Sequence, residues 1–357
     1  MDKGCKCVCQ AGYKGEHCEK DIDECSNNTH NRHAKAVCYN IEESYSRRCE
    51  EGFKAFKAIF TNLNATGRCG PTSLGSHYTG QGHDGQVTLT NGFQQWTVPY
   101  TGYYRIEAIG AAGGYDKRIN SSQYRGRGAR MVGTFRLNKG EVIQIIVGQE
   151  GGINKRSESS GGGGGTFVVR GADTPLIIAG GGGGIDSARS RHAGCDASIN
   201  TRGNPGYRSW SGGSNGHGAQ TSDDVKSGGG GGGFYSSGRN GKNFGGTKGD
   251  GGEGGKGFLQ GGKGGRAKTN DVDGGFGGGG GGGGGGRGNY GGGGGGGYSG
   301  GSSGNNHVDS CGGGGGSYND GDNQENECCF NTAGHGQIVI TFFCTSRILL
   351  VILLIMD

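Results

Sequence analysis

Proline is nearly absent from this chain, with 4 residues in 357, while glycine numbers 91. A collagen-type triple helix is thereby excluded, because it needs abundant proline and glycine at every third position, and glycine here comes in uninterrupted blocks. No apolar run approaches the roughly 20 residues of a membrane-spanning helix. The run ILLVILLIM at 348–356 is the longest, and it reads as a truncated membrane span rather than a working anchor. The opening MDKGCKC lacks the apolar stretch of a secretory signal, so the signal peptide reads as missing from this sequence. Also absent are a V-A-I-K-like strand lysine, an H-R-D loop and a D-F-G metal site, which excludes a protein kinase within this chain. Lys242, Lys256 and Lys263 follow glycine but none precedes Ser or Thr, so a phosphate-cradling loop fails as well. The 9 histidines are scattered without H-E-x-x-H, and His335 reads as a structural turn residue. No enzymatic activity is expected.

What is present points outside the cell. Thirteen cysteines and three Asn-x-Ser/Thr sites, at Asn27, Asn64 and Asn120, suit an oxidising, extracellular setting and a glycoprotein. The net charge of +5 is spread thinly and favours neither nucleic acid nor membrane. Strand-like segments occur at 93–98, 103–109, 130–137, 142–147, 166–169, 176–179 and 337–343, giving a mainly β body of two-sheet or jelly-roll type. The acidic run at 319–327 reads as a solvated loop.

Between Ala179 and Gln337 there is almost no strand signal, yet a structureless loop of that length is foreign to a compact domain. Six runs of five or more glycines (161–165, 180–184, 228–233, 277–286, 291–297, 312–316) fall in or beside this region. Lacking Cβ, such runs can pack side by side as three-residue-per-turn extended helices that bond laterally through every N–H. The glycine tract is therefore expected to fold as a polyproline-II-type helix bundle inserted in the β body.

The segment CVCQAGYKGEHC (7–18) resembles the second half of an epidermal growth factor-like module, which implies a Cys9–Cys18 bridge and a partner for Cys7 upstream, so residues 1–20 read as a truncated module. DIDEC (21–25) resembles the entry of a calcium-binding module of that family, running to Cys69. Two of its six cysteines are absent, the second and the fourth, which bond each other in the family. The resemblance then implies Cys25–Cys38 and Cys49–Cys69, and calcium held by Asp21, Glu24 and Asn40 side chains with the carbonyls of Ile22 and Ile41.

From residue 70 to 343 the texture changes. GFQQWTVPYTGYYRIEAIGAAGG (92–114), GARMVGTFRLNKGEVIQIIVGQEGG (128–152), GGGGGTFVVR, PLIIAGGGGG and GHGQIVIT (334–341) resemble the glycine-rich extracellular domain of the anaplastic lymphoma kinase and leukocyte tyrosine kinase receptors. The resemblance implies a tumour-necrosis-factor-like β-sandwich joined to the glycine bundle, serving as a receptor ectodomain that binds a protein ligand. In those receptors the growth-factor-like module follows the glycine-rich domain, and here the order is reversed.

The expected function is an extracellular protein-binding module, the ectodomain part of a cell-surface receptor, with a secreted matrix or adhesive protein as the alternative. GRGNYGGGGGGGYSGG (286–301) also resembles RNA-binding low complexity, but beside extracellular modules Tyr290 and Tyr298 read as ring contacts of a glycine helix. Tyr100, Tyr103 and Tyr104 are interface candidates, and Trp96 is expected in the core. The pairing of Cys195, Cys311, Cys328, Cys329 and Cys344 is left open by the sequence, with Cys344 the candidate odd thiol.

Overall fold

The computed structural model describes residues 56–343 apart from 221–225, 246–248, 269–271 and 285–289, together with the backbone of four strands nearer the N-terminus. By packing, the chain divides into two units, Met1–Phe56 with Thr341–Asp357 and Lys57–Ile340. In the first, β1 (Tyr13–Lys14) pairs antiparallel with β2 (Lys20–Asp21). There β3 (Ala36–Ile41) and β4 (Ser44–Cys49) form a hairpin from Ala36 opposite Cys49 to Ile41 opposite Ser44.

Two sheets form the larger body, the six-stranded one antiparallel throughout. One holds six strands in the order β15-β12-β11-β10-β7-β6 and the other five in the order β16-β9-β8-β17-β5. Their members are β5 (Phe56–Phe60), β6 (Val87–Thr90), β7 (Phe93–Thr97), β8 (Gly102–Ile109), β9 (Gly128–Leu137), β10 (Val142–Ile146), β11 (Thr166–Arg170), β12 (Thr174–Ala179), β15 (Tyr318–Asn319), β16 (Asp322–Asn331) and β17 (Gln337–Phe343). A separate pair joins β13 (Ile185–Asp186) to β14 (Ser310–Cys311). Strands β8 and β9 of one sheet pack on β11 and β12 of the other.

The period-2 pattern of β8 sets its inner and outer faces. Tyr104, Ile106 and Ala108 are buried, while Tyr103, Arg105 and Glu107 turn away from the core. By contrast β11 and β12 are buried on both faces, which is why TFVV and LIIA are unbroken apolar runs. Their second face is covered by the glycine tract. Phe234, Phe258 and Phe276 cluster with Ile146, Phe167, Val169 and Ile178, and Phe93, Tyr298 and Tyr318 close the margin. Tyr298 stacks on Tyr318 at 4.8 Å, and Tyr290 is buried with the Lys226 ammonium 5.0 Å from its ring centroid, so both tyrosines of the glycine segment pack within the fold.

The glycine runs show a strict three-residue rhythm. In 291–297 the amides of Gly293 and Gly296 donate to Ser160 and Gly163, those of Gly294 and Gly297 to Gly229 and Gly232, and that of Gly295 to Gly313. Every third residue thus meets the same neighbouring run, as an extended helix with three residues per turn requires. The run 180–184 repeats it, with Gly181 and Gly184 donating to Gly296 and Gly293. Runs 161–165 and 180–184 lead directly into β11 and out of β12, which ties the two arrangements together.

The structure differs from the sequence reading at two strands. The acidic segment read as a solvated loop is largely strand β16, whose ladder with β9 runs from Asp322 opposite Thr134 to Asn331 opposite Gly128. It can be so polar because it is a sheet edge with most of its side chains in water. The pair VTLT and Asn91-Gly92, not read as a strand and turn, forms β6 and a two-residue hairpin, both turn residues having positive φ (53° and 86°).

Candidate functional site

The outer face of the five-stranded sheet presents an ordered lattice of charge. Arg105 Nη2 on β8 lies 3.0 Å from Glu325 on β16, and Arg130 Nε on β9 lies 2.6 Å from Glu107 on β8. Arg105 and Glu107 are themselves 3.7 Å apart, and Arg130 reaches Glu327 at 4.0 Å. The guanidinium of Arg130 also stands 5.5 Å from the ring centroid of Phe330. Its hydrogen bond to Glu107, ahead of the fields of Glu107, Glu325 and Glu327, holds Arg130 above the ordinary arginine value and keeps it charged. Exposed ion pairs of this sort contribute little to stability, under about 1 kcal/mol each. Their effect is to fix long side chains in one pattern across three strands, with Tyr103 and Phe330 exposed beside them at 38% and 44%.

Of the aromatic candidates only Tyr103 faces outward in this way. Trp96 is fully buried as expected, but so is Tyr104, because it sits on the inward phase of β8. Their rings meet edge to face at 5.7 Å, and the Tyr104 hydroxyl donates to the Tyr100 carbonyl at 2.6 Å. Tyr100 is half-buried. His335 accepts the Glu150 amide on Nδ1 at 3.0 Å, and burial lowers its pKa.

Among the described residues the body holds one bridge that joins distant segments, Cys195–Cys311, which is buried with Ile185 and Ala188. Cys328 and Cys329 are bonded to each other, and Cys344 lies outside the described residues. The Cys49–Cys69 bridge implied by the growth-factor-like resemblance is not formed here, since Cys69 is exposed and free. Its segment is held within the larger body instead. Phe60 packs on Trp96 and Tyr78, Arg68 bonds the Gly264 carbonyl and Glu253, and Gln149 donates to the Cys69 carbonyl.

Cys9, Cys18, Cys25, Ile22, Glu24 and Asn27 lie outside the described residues, and of Asp21, Cys38, Asn40, Ile41 and Cys49 the backbone alone is described, on β2, β3 and β4. Asn40 and Ile41 end β3 opposite Tyr45 and Ser44. Among the described residues no three His, Cys, Asp or Glu side chains converge to hold a metal. Asn64 and Asn120 are both exposed on turns with left-handed φ of 60° and 66°.

No protein-family model matches the chain. A 98-residue stretch, 26% of the chain, is 38% identical to the leukocyte tyrosine kinase receptor of Mus musculus, and covers 11% of that receptor. A 48-residue stretch, 13% of the chain, is 48% identical to the protein kinase C-binding protein NELL1 of Homo sapiens, covering 6% of it. Vitamin K-dependent protein S of Oryctolagus cuniculus is 42% identical over 48 residues, 13% of the chain and 7% of that protein. These partial likenesses support an extracellular receptor-like or EGF-related region within the chain, and no specific family. It spans only 6% to 11% of the length of these relatives, and the likeness falls on ectodomain and EGF-like regions rather than on a kinase domain.

Proposed function

We propose that this chain is a non-enzymatic recognition module of a cell-surface receptor ectodomain, which binds a protein ligand on the outer face of the five-stranded sheet. The observation that carries this reading is the lattice of Arg105, Glu107, Arg130 and Glu325 with Tyr103 and Phe330 exposed beside it. Aromatic and arginine side chains dominate the energetics of protein interfaces, and a charge pattern already held in place orients a partner without first being ordered. The glycine bundle supports the reading as a rigid backing, since its aromatic cluster covers the opposite sheet. The module organisation belongs to the same proposal, with residues 1–20 and 21–69 as growth-factor-like modules, the second ending in a segment, 57–69, that packs with the larger body, 70–343 as the glycine-rich receptor-type domain in a tumour-necrosis-factor-like arrangement, and 344–357 as an apolar tail. The full chain, displayed on cells, is expected to capture at least one member of an array of individually expressed secreted proteins. Combining Tyr103→Ala with Arg105→Glu should weaken that capture by at least tenfold, on the order expected for a hot spot. Capture that survives the double change unaltered would refute this face as the site.

The head adds calcium to the proposal. Asp21, Glu24 and Asn40 with the Ile22 and Ile41 carbonyls are hard oxygen donors of the kind calcium selects. Here calcium would tie the entry of the module to the end of β3. Millimolar calcium should slow proteolysis of residues 1–55 in the wild type and leave Asp21→Ala unprotected; equal cleavage of both proteins with and without calcium would remove the site.

A further inference from the structure

The two disulfides among the described residues of the body stand in opposite situations. Cys195–Cys311 joins residues 116 apart and both its cysteines are buried. Such a cross-link restricts the unfolded chain and stabilises the fold. Cys328–Cys329 joins residues 1 apart, so it closes no loop and removes almost no chain entropy. It also lies on the edge strand β16, with Cys328 exposed and Cys329 half-buried. A staple is not its purpose.

What it does is local. Between Glu327, opposite Arg130, and Asn331, opposite Gly128, the ladder accommodates Cys328, Cys329 and Phe330 against Ala129 alone. The disulfide ring closes this bulge, in which Cys329 has φ of 67°. A β-carbon-bearing residue pays about 1–2 kcal/mol for the left-handed region, so the bulge needs a constraint to persist. Its far end is pinned by Asn331, whose side-chain amide donates to the Gly110 and His335 carbonyls at 2.8 and 3.0 Å. The ring fixes the near end. Phe330, the residue that follows, is thereby held outward under Arg130.

The open form has a place prepared for it. Cys328 Sγ lies 3.3 Å from the Ala197 carbonyl oxygen, which the disulfide cannot use as an acceptor and a thiol can. We propose that Cys328–Cys329 is a thiol–disulfide exchange site, opened by a dithiol reductant, and that its opening releases the bulge and the outward setting of Phe330. One thiolate of the reductant attacks a sulfur of the pair, the Cys328–Cys329 bond breaks, and the departing cysteine takes up a proton. The second reductant thiol then resolves the mixed disulfide, leaving two protein thiols and an oxidised reductant. The buried Cys195–Cys311 bridge is not reached.

The test uses the full chain with dithiothreitol at low concentration, alkylation under native conditions and peptide mass spectrometry, alongside hydrogen exchange of residues 327–331. Cys328 and Cys329 are expected to be linked before treatment and then to be alkylated together at least ~100-fold faster than Cys195 and Cys311, as exposure dictates. Exchange at 327–331 should rise on reduction. The C328S/C329S variant should show the exchange of the reduced protein without reductant and no further response to it. Finding either cysteine free or bonded elsewhere in the untreated protein would overturn the proposal. So would alkylation no faster than at Cys195 and Cys311, or exchange at 327–331 that reduction leaves unchanged in the wild type.

Discussion

Gly293→Ala should unfold or fail to assemble the glycine-rich body, whereas Gly140→Ala should lower its stability by only about 1–2 kcal/mol and leave it folded. A Cβ on Gly293 would stand 1.9 Å from the Gly280 carbonyl oxygen and 2.8 Å from the Gly162 amide nitrogen, both backbone atoms of neighbouring runs. Neither can retreat, because the Gly162 amide is bonded to that same Gly280 carbonyl and the Gly280 amide to Gly294. The neighbours must separate, and each has its own lateral bonds to lose. Overpacking in ordinary cores costs about 1–3 kcal/mol, and here the expected cost is ~3 kcal/mol or more, a large part of the stability of a single domain. Gly140 is the control. Its φ is +87° and nothing lies within 4 Å of an added Cβ, so the left-handed backbone alone is charged, at about 1–2 kcal/mol. Denaturant unfolding of the two variants beside the wild type decides the matter. Equal costs would mean that the runs are not packed at the distances their hydrogen bonds imply.

The second large effect is on pH dependence. Asp186 is fully buried on β13, where one oxygen accepts the Tyr290 amide at 3.1 Å and the other finds no partner among the described residues. Burial, reinforced by Asp116 and Glu158, pushes its pKa up to about 8. A carboxyl whose pKa is raised by folding stabilises fully below its unfolded value, near 4, and loses that contribution as pH climbs through the folded value. Stability should therefore fall between about pH 4 and 8 through this one group. Asp186→Asn cannot ionise, so it should match the wild type near pH 4 and exceed it at pH 8 by as much as ~5 kcal/mol. Asp273, pushed by burial to about 6, adds a smaller total contribution of the same sign. His83 opposes it at low pH, since burial beside Phe60 and Tyr78 lowers its pKa to about 4 and protonation then favours the unfolded chain. Both contributions persist in the variant, and the difference between the two proteins isolates Asp186. A difference that stays constant from pH 5 to 8.5 would show that Asp186 ionises freely in the fold.

Much of the body was legible because its strands obey local rules. Alternation along β8 and the unbroken apolar runs of β11 and β12 report one buried face and two, respectively. Strand β16 was hidden for the converse reason. DNQENECCFN has neither alternation nor β-branched residues, and it is a strand through its ladder to β9 and the reach of Arg105 and Arg130 to its glutamates. The proposed face could not be read either, since Arg105 and Glu325 are 220 residues apart in sequence. Tyr103 and Tyr104 look alike in the chain, and only the phase of β8 against the second sheet sends one outward and the other into the core.

By itself the sequence determined that glycine blocks must be structure. Nothing else accounts for a chain that returns to a well-formed strand at Gln337 after so long a tract, and only residues without Cβ can approach so closely. The tertiary structure alone decided which run meets which, since identical glycines carry no address. Partners are assigned by the flanking elements, with β11, β12, β15 and the phenylalanines at 234, 258 and 276 anchoring the runs in register. It alone decided also which cysteines meet. Bond formation depends on where two Cβ atoms are brought, and neither spacing nor count in the chain contains that distance.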